Sequence, residues 1–138
     1  MIKTNIFQKL SASVINVLFT GLIFVPFYFL ILNSFSRKIM FISIFLIYNL
    51  FFVFLKDNRC LGMRVCKMRY EKNYSKANQI KYAFLYTLSF STLFFWIFFP
   101  FDIFLFNIIF LQVPCILVKG TTLHGYLSGN ITTFCENK

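Results

Sequence analysis

The feature that most constrains the fold is a run of 22 residues, Ser11 to Leu32, without a charged side chain. At about 1.5 Å per residue, a helix of this length measures about 33 Å, which matches a bilayer core of about 30 Å. The chain is only 13% charged, whereas soluble domains are about 25% charged. This composition argues against a water-soluble enzyme. Because the run exceeds the apolar region of a cleavable signal, we expect a retained membrane segment.

Further apolar segments follow the first. An uncharged run of 17 residues, 39–55, reaches the short end of the spanning range. Residues 82–118 would form a helix of about 55 Å, too long for one crossing, and Pro100 and Asp102 break it at its centre. Each arm is short, so a pair of crossings and a re-entrant hairpin both remain open. The predicted spans are 11–32, 39–55, 82–99 and 103–118.

The connection between the second and third segments is strongly basic. Residues 56–81 contain eight Lys and Arg against Asp57 and Glu71, and such loops stay in the cytoplasm. A hairpin after this loop also makes the tail 119–138 cytoplasmic, with 12 basic residues inside and two outside, whereas a single crossing gives 10 and four. The charge distribution therefore favours the hairpin and predicts that both termini are cytoplasmic.

The basic loop also carries secondary-structure signals. Residues 64–70 alternate with a period of two, which predicts a short strand, and Ser75 is a suitable N-cap for the following helix. Ile131 to Phe134 is a second strand candidate that could pair with the first if both lie on one side of the membrane. The predicted fold is an all-α membrane protein, 1–138, with two transmembrane helices, a basic cytoplasmic loop with a short strand, and a Pro-broken transmembrane or re-entrant helical hairpin.

Four polar residues of the first helix recur at intervals of four, three and four and thus share one face, which we call the polar stripe: Lys9, Ser13, Asn16 and Thr20. This stripe is either packed against other helices or lines an ion or solute path. A proton-coupled carrier normally needs a titratable group deep in the membrane, but the one acidic candidate, Asp102, is predicted at the outer turn. The candidate path or interface residues are Lys9, Ser13, Asn16, Thr20, Asn49 and Asn107.

Other chemistry has little support in the sequence. The four cysteines and His124 lack metal-site spacing, so we expect no metal, no cofactor and no catalytic residue. The basic loop has no stacking platform for nucleic acid, but it could hold anionic lipid head groups at about 1 kcal/mol per basic residue. The candidate head-group contacts are Arg59, Arg64, Lys67 and Arg69.

With these residues identified, the chain resembles the RDD family of small bacterial multi-pass membrane proteins along nearly its whole length. Lys9 to Asn16 resembles the family's opening arginine and the aspartate seven residues later. Cys60 to Arg69 resembles its T-x-G-K-R-x-x-G-x-R loop, and Thr122 to Asn130 resembles its L-H-D-x-x-[AS]-G-T ending. The matching motif positions are Gly62, Arg64, Arg69, His124 and Gly129.

The three residues that define the family are all changed. Lys9, Asn16 and Gly125 stand at the arginine and the two aspartate positions, so the fork geometry and the titratable groups are lost. The resemblance implies a multi-pass protein of the bacterial inner (plasma) membrane, of a family often suspected of transport. We expect transport of an ion or small solute. The alternative is a non-transporting accessory or scaffold role that uses the basic loop. The expected partners are the bilayer, anionic lipids, and a homo-oligomer or larger membrane complex.

Overall fold

Two long helices open the fold. The computed structural model describes residues 2–55, 57–94 and 103–135. Helix α1 spans Ile6–Leu30 and α2 spans Ser34–Phe54, and both are long and apolar enough to cross a membrane. Each begins five residues before its predicted span, because the helix start is set by a capping side chain rather than by the last charge. Asn5 and Gln8 form a capping box for α1, and Asn33 accepts from the Phe35 N–H to cap α2.

Both helices expose apolar side chains along their length. Leu10, Val14, Leu18 and Leu22 are exposed along one side of α1, whereas Asn16 is buried on the other. In an apolar stretch of 18 residues within each helix, only 11% of the stretch is buried in α1 and 22% in α2. A core helix of a water-soluble fold would bury its apolar face. The surfaces of these helices therefore suit an apolar surrounding.

A second helical pair follows the loop. Ser75 accepts from the Asn78 N–H and caps α4, Lys76–Ser91, as predicted, and a 3₁₀ turn continues it over Thr92–Phe94. After a gap in the described residues, α5 (Ile103–Phe106), a π-helix (Asn107–Gln112) and α6 (Val113–Lys119) form one apolar helix. An apolar helix, Ile103–Lys119, thus lies where the arm 103–118 is predicted. The predicted break at Pro100 and Asp102, and the end of the arm 82–99, lie outside the described residues.

The loop and the tail fold together into what we call the cap, residues 2–4, 57–75 and 120–135. It contains a short helix in each of its two longer parts, α3 (Leu61–Val65) and α7 (Leu123–Leu127). It also contains three strands, β1 (Ile2–Lys3), β2 (Met68–Tyr70) and β3 (Thr133–Cys135), in the antiparallel order β1-β3-β2. Strand β2 of the loop pairs with strand β3 of the tail, and the fold is mostly helical with a small sheet.

Two details of the cap differ from the sequence-based expectation. The period-two pattern is right for residues 68–70 but wrong for Arg64 and Val65, which belong to α3. The amino-terminal strand β1 was not expected; it pairs with β3 through Ile2 and Cys135. Two residues are too few to show a period, and the strand forms because β3 offers it an unpaired edge.

Candidate functional site

The centre of the polar stripe is Asn16, which joins α1 to α2 and to the loop. Its Oδ1 accepts from the Tyr48 hydroxyl at 2.9 Å and from the Gly62 N–H at 2.8 Å, and its Nδ2 donates to Cys60 Sγ at 3.2 Å. The same Tyr48 hydroxyl accepts from the Leu61 N–H at 3.2 Å. Asn16 is only 2% exposed, so the hydrogen bonds of its side-chain amide are made within the protein.

Gly62 lets the loop lie directly on α1. A Cβ at this position would lie 2.0 Å from the carbonyl oxygen of Ala12, a separation that no side chain tolerates. The N–H of the same residue donates to Asn16. Two positions singled out by the RDD resemblance, in different parts of the sequence, are therefore in direct contact.

Lys9 connects the start of α1 to the end of α6. Its Nζ donates to the carbonyl oxygen of Gly120 at 2.8 Å, and Gly120 is the C-cap of α6 in the left-handed conformation, with φ of 72°. A helix C-terminus presents unpaired carbonyls and a partial negative charge, so a cation stabilises it. The stripe residue Lys9 thus acts as a cap for another helix.

His124 lies in the interior between two tyrosines of α4. Its ring centroid is 5.0 Å from that of Tyr82 and 5.1 Å from that of Tyr86, and it is 7% exposed. Its Nδ1 has no hydrogen-bond partner among the described residues. Burial, and secondarily the charge of Lys9, lower the pKa of His124 from 6.5 to about 3, so the ring is neutral at physiological pH.

These groups surround one small cavity below the sheet. Its volume is about 80 Å³, room for a few water molecules and well below the roughly 300 Å³ at which pockets for organic ligands begin. Side chains of α1, α2, α4, the loop and the tail line it, among them Lys9, Ser13, Asn16, Asn49, Tyr86 and His124. Five of the residues selected from the sequence therefore meet at one place.

A second polar cluster lies between α4 and the π-helix. Asn107 Nδ2 donates to Ser89 Oγ at 2.7 Å, and Gln112 Nε2 donates to Ser89 Oγ and to Asn107 Oδ1, each at 3.2 Å. Gln112 Oε1 also accepts from the Leu123 N–H at 3.0 Å. Asn107 and Gln112 are five residues apart, and the wider turn of a π-helix brings such positions onto one face. The cluster ties the last apolar helix to α4 and to α7.

Two of the predicted stripe or path residues are satisfied within their own helices. Thr20 Oγ1 donates to the Asn16 carbonyl at 2.8 Å, and Asn49 Nδ2 donates to the Phe45 carbonyl at 2.8 Å. Side chains that bond back to the preceding turn hide their polarity from the surroundings. Beyond Thr20, α1 has no buried residue, so the stripe ends there.

The four predicted head-group contacts occupy different surroundings. Arg59 donates to Asp57 at 2.8 Å, and the pKa of Asp57 is lowered by this hydrogen bond and by the guanidinium charge. Arg64 is exposed, with its guanidinium 5.9 Å from the ring centroid of Phe52 near the end of α2. Lys67 and Arg69 are also exposed. Arg69 lies on the sheet face opposite the cavity-lining Met68 and Tyr70, since side chains alternate along a strand.

Two glycines of the tail, Gly129 and Gly125, lie where other atoms approach the backbone closely. Gly129 has φ of +97°, and a Cβ there would lie 2.6 Å from Asn78 Nδ2. At Gly125 a Cβ would lie 2.4 Å from Thr121 Oγ1 and 2.9 Å from the Ile131 carbonyl. The absence of a side chain at Gly125 therefore permits a close approach of the tail to itself.

Two potential nucleophiles of the cap, Cys60 and Tyr70, are harder to ionise than usual. Burial raises the pKa of the Cys60 thiol and that of the Tyr70 hydroxyl, and a thiol is a nucleophile only as the thiolate. Among residues 2–55, 57–94 and 103–135, no group of three His, Cys, Asp or Glu side chains could hold a metal ion. What the described site can do is bind water or a small ion and hold the helices to the cap.

Several site residues had no signal, or only a weak one, in the sequence. Tyr48 is a lone tyrosine within an apolar run, Gly120 is an ordinary helix-ending glycine, and the π-helix has no recognisable pattern. Ser89 and Gln112 are visible only as polar residues in an apolar segment.

Comparison of the chain with family models, curated proteins and solved structures finds no match.

Proposed function

We propose that the chain is a multi-pass protein of a bacterial inner membrane, organised as in the RDD family, with the cap on the cytoplasmic side. The lipid-facing character of α1 and α2 supports the membrane location. Contact between the loop and the tail supports a common side for both, because a small sheet cannot form across a bilayer. The contact of Asn16 with Gly62 supports an RDD-like arrangement, since the resemblance singled out both positions.

Within that membrane, we propose a non-transporting accessory role in which the basic loop holds anionic lipid head groups or a membrane complex. The observation that carries this is the use of the polar stripe: Lys9 caps α6, Asn16 holds the loop, and Thr20 bonds to its own helix. Side chains engaged in this way keep the protein together rather than serving a passing solute. The exposed Arg64 and Lys67 remain available at the surface.

Transport of a small ion is the second candidate, and one observation favours it. The cavity joins Lys9, Asn16 and His124 and has room for a few waters, as an ion site would. Its size argues against an organic solute. The path would have to pass the back-bonded Thr20 and the apolar residues beyond it.

Two measurements on proteoliposomes separate these candidates. In the first, an imposed gradient of Na⁺, K⁺ or protons is followed with ion-selective dyes, and the accessory role predicts the same leak as in vesicles without protein. Flux that disappears in an Asn16→Leu variant that still folds would establish transport instead.

The second measurement is the preference of spin-labelled phosphatidylglycerol over phosphatidylcholine for the protein surface. The accessory role predicts a preference that falls with salt, because exposed charges are screened, and that falls in an Arg64→Gln/Lys67→Gln variant. An Arg37→Gln/Lys38→Gln variant carries the same charge change at the other end of α2 and is the matched control. Equal loss in both variants would remove the special role of the loop.

A further inference from the structure

An apolar cleft opens beside the polar cavity, between α1, α4 and the segment from α5 to α6. Its volume is about 310 Å³, within the range of about 300–1,000 Å³ of ligand pockets. Leu10, Val14 and Leu18 line it from α1 and are 43%, 55% and 64% exposed, so the cleft is open to the side. Ile108 and Ile116 line it from the opposite helix.

The cleft is polar at one end and apolar along its depth. Lys9, Thr122 and the buried His124 line the end nearest the cap, and the Nδ1 of His124 has no hydrogen-bond partner among the described residues. Phe90, Leu93 and Phe104 line the deeper part. Given the membrane orientation proposed above, the polar end lies at the level of lipid head groups and the apolar end among acyl chains.

Positive charge concentrates at the polar end. The Lys9 ammonium contacts the Gly120 carbonyl, and a Cβ built on Gly120 would lie 3.7 Å from Lys3 Nζ. Lys119 precedes Gly120; its Nζ lies 5.4 Å from the ring centroid of Tyr126, and its charge and that of Lys9 both act on Cys115. The described carboxylates lie elsewhere: Asp57 pairs with Arg59, and Glu71 accepts from Thr132. Within the described part of the chain, the three lysines thus have no carboxylate partner.

We propose that this cleft holds one acyl chain of an anionic phospholipid from the surrounding bilayer, with the phosphate at Lys3, Lys9 and Lys119. A void between helices forfeits dispersion contacts, and an acyl chain restores them. The lysines supply charge complementarity that a zwitterionic lipid does not match as well. The inference rests on the proposed membrane location and deepens the proposed lipid binding by giving it a defined second position, apart from the basic loop.

The test counts lipids retained by the full-length protein. The protein is reconstituted into nanodiscs of equal parts phosphatidylglycerol and phosphatidylcholine, extracted in mild detergent, and analysed by native mass spectrometry. One retained phosphatidylglycerol per chain is expected. Retention of phosphatidylcholine with equal frequency, of a free fatty acid alone, or of no lipid would overturn the proposal.

Two variants with matched controls locate the lipid. Val17→Phe fills the cleft and is expected to abolish retention, whereas Val25→Phe, at a residue of α1 that is 53% exposed, leaves it unchanged. Lys3→Gln/Lys119→Gln is expected to weaken retention about 30-fold, from about 1 kcal/mol per lysine at the membrane surface. These two lysines are exposed, so this variant keeps the test informative if Val17→Phe does not fold.

The outcome is separable from that of the proposed function. Arg64→Gln/Lys67→Gln carries the same charge change on the basic loop and should leave the retained lipid in place. If ion flux is observed while one phosphatidylglycerol stays bound, the accessory role fails and the cleft assignment stands. If Val17→Phe or the Lys3/Lys119 variant retains lipid like the original protein, the cleft assignment fails whatever the flux.

Discussion

The two ends of the α1–α2 pair are built differently. At the end next to the cap, residues 6–20 and 45–54, lie all the buried residues of both helices, and Asn16 bonds to Gly62 across 46 positions of sequence. At the turn end, residues 21–44, neither helix has a buried residue. There the hydrogen bonds are local, as where Arg37 Nε donates to the Ile31 carbonyl at 2.6 Å. Contacts between helices at this end are aromatic, as between Phe41 and the rings of Phe24 and Phe90.

In the proposed membrane setting, this difference distinguishes the contacts that position the helices from the apolar surface that would face lipid. In an apolar medium, apolar contacts between helices bring little advantage over contacts with acyl chains, whereas hydrogen bonds and close packing of small residues do. The cap end has both, through Asn16 and Gly62. We therefore infer that the cap end determines the arrangement of the helices, and that the turn end tolerates change. The predictions below test this contrast with pairs of matched variants.

The largest expected effect is that of adding a methyl group to a glycine at the cap end. Gly62→Ala places a Cβ 2.0 Å from the backbone of Ala12 and is expected to destabilise the protein by about 3 kcal/mol or more. Gly21→Ala meets no atom within 4 Å and should be neutral or stabilising by up to about 1 kcal/mol. Apparent melting temperatures in detergent measure both. Similar stability of the two variants would refute the close approach of the loop to α1.

The next effect is the loss of a buried amide. Asn16→Leu leaves the Gly62 N–H and the Tyr48 hydroxyl without their acceptor, at an expected cost of about 2–4 kcal/mol. Asn33→Ala removes only the N-cap of α2, worth about 1 kcal/mol.

The readouts for this pair are thermal stability and the oligomer size on a sizing column. Asn16→Asp should recover part of the loss, because its carboxylate still accepts both bonds. Full stability of Asn16→Leu would contradict a structural role for this residue.

A smaller effect is expected for the serine between α4 and the π-helix. Ser89→Ala removes the shared partner of Asn107 and Gln112, with an expected loss of about 1–2 kcal/mol. Ser43→Ala, whose hydroxyl bonds only to the Ile39 carbonyl on the exposed side of α2, should change stability little. Thermal unfolding of the two variants in the same detergent gives the comparison. A larger loss in Ser43→Ala would reverse the proposed contrast.

The last expected effect, of similar size to that of Ser89→Ala, is a dependence of stability on pH. The pKa of His124 falls from 6.5 to about 3 on folding, chiefly through burial, so between these values the unfolded chain binds a proton that the folded protein does not. This contribution is complete above pH 6.5 and is lost as pH falls, so the melting temperature should drop between pH 7 and pH 5. His124→Phe should flatten that drop. An unchanged pH profile in this variant would show that His124 is not the titrating group.

Local patterns in the sequence predicted the parts of the fold that depend on local chemistry. The apolar runs located α1 and α2, Ser75 marked the start of α4, and the alternation in residues 68–70 identified β2. The interval of Lys9, Ser13, Asn16 and Thr20 predicts a common face of α1; in the structure Asn16 and Thr20 are buried, and Lys9 and Ser13 line the cavity. None of these signals depends on a distant partner.

What could not be predicted depends on contacts between distant parts of the chain. Nothing in the sequence near Lys9 indicates that it caps α6 at Gly120, or that Tyr48 relays a hydrogen bond from Leu61 to Asn16. β1 forms only because β3 is beside it. The π-helix lies where Asn107 and Gln112 both bond to Ser89, a contact with α4 that the six residues of the π-helix do not reveal by themselves.

The most direct test of the account is the sidedness of the loop and the tail. Single cysteines are placed in a cysteine-free chain at Asn73 in the loop, Leu127 in the tail and Ser36 between α1 and α2, all exposed positions, and labelled with a membrane-impermeant maleimide in spheroplasts and in inverted vesicles. The account predicts that Asn73→Cys and Leu127→Cys react only in inverted vesicles and Ser36→Cys only in spheroplasts. Labelling of Leu127→Cys together with Ser36→Cys in spheroplasts would contradict a cap formed on one side of the membrane.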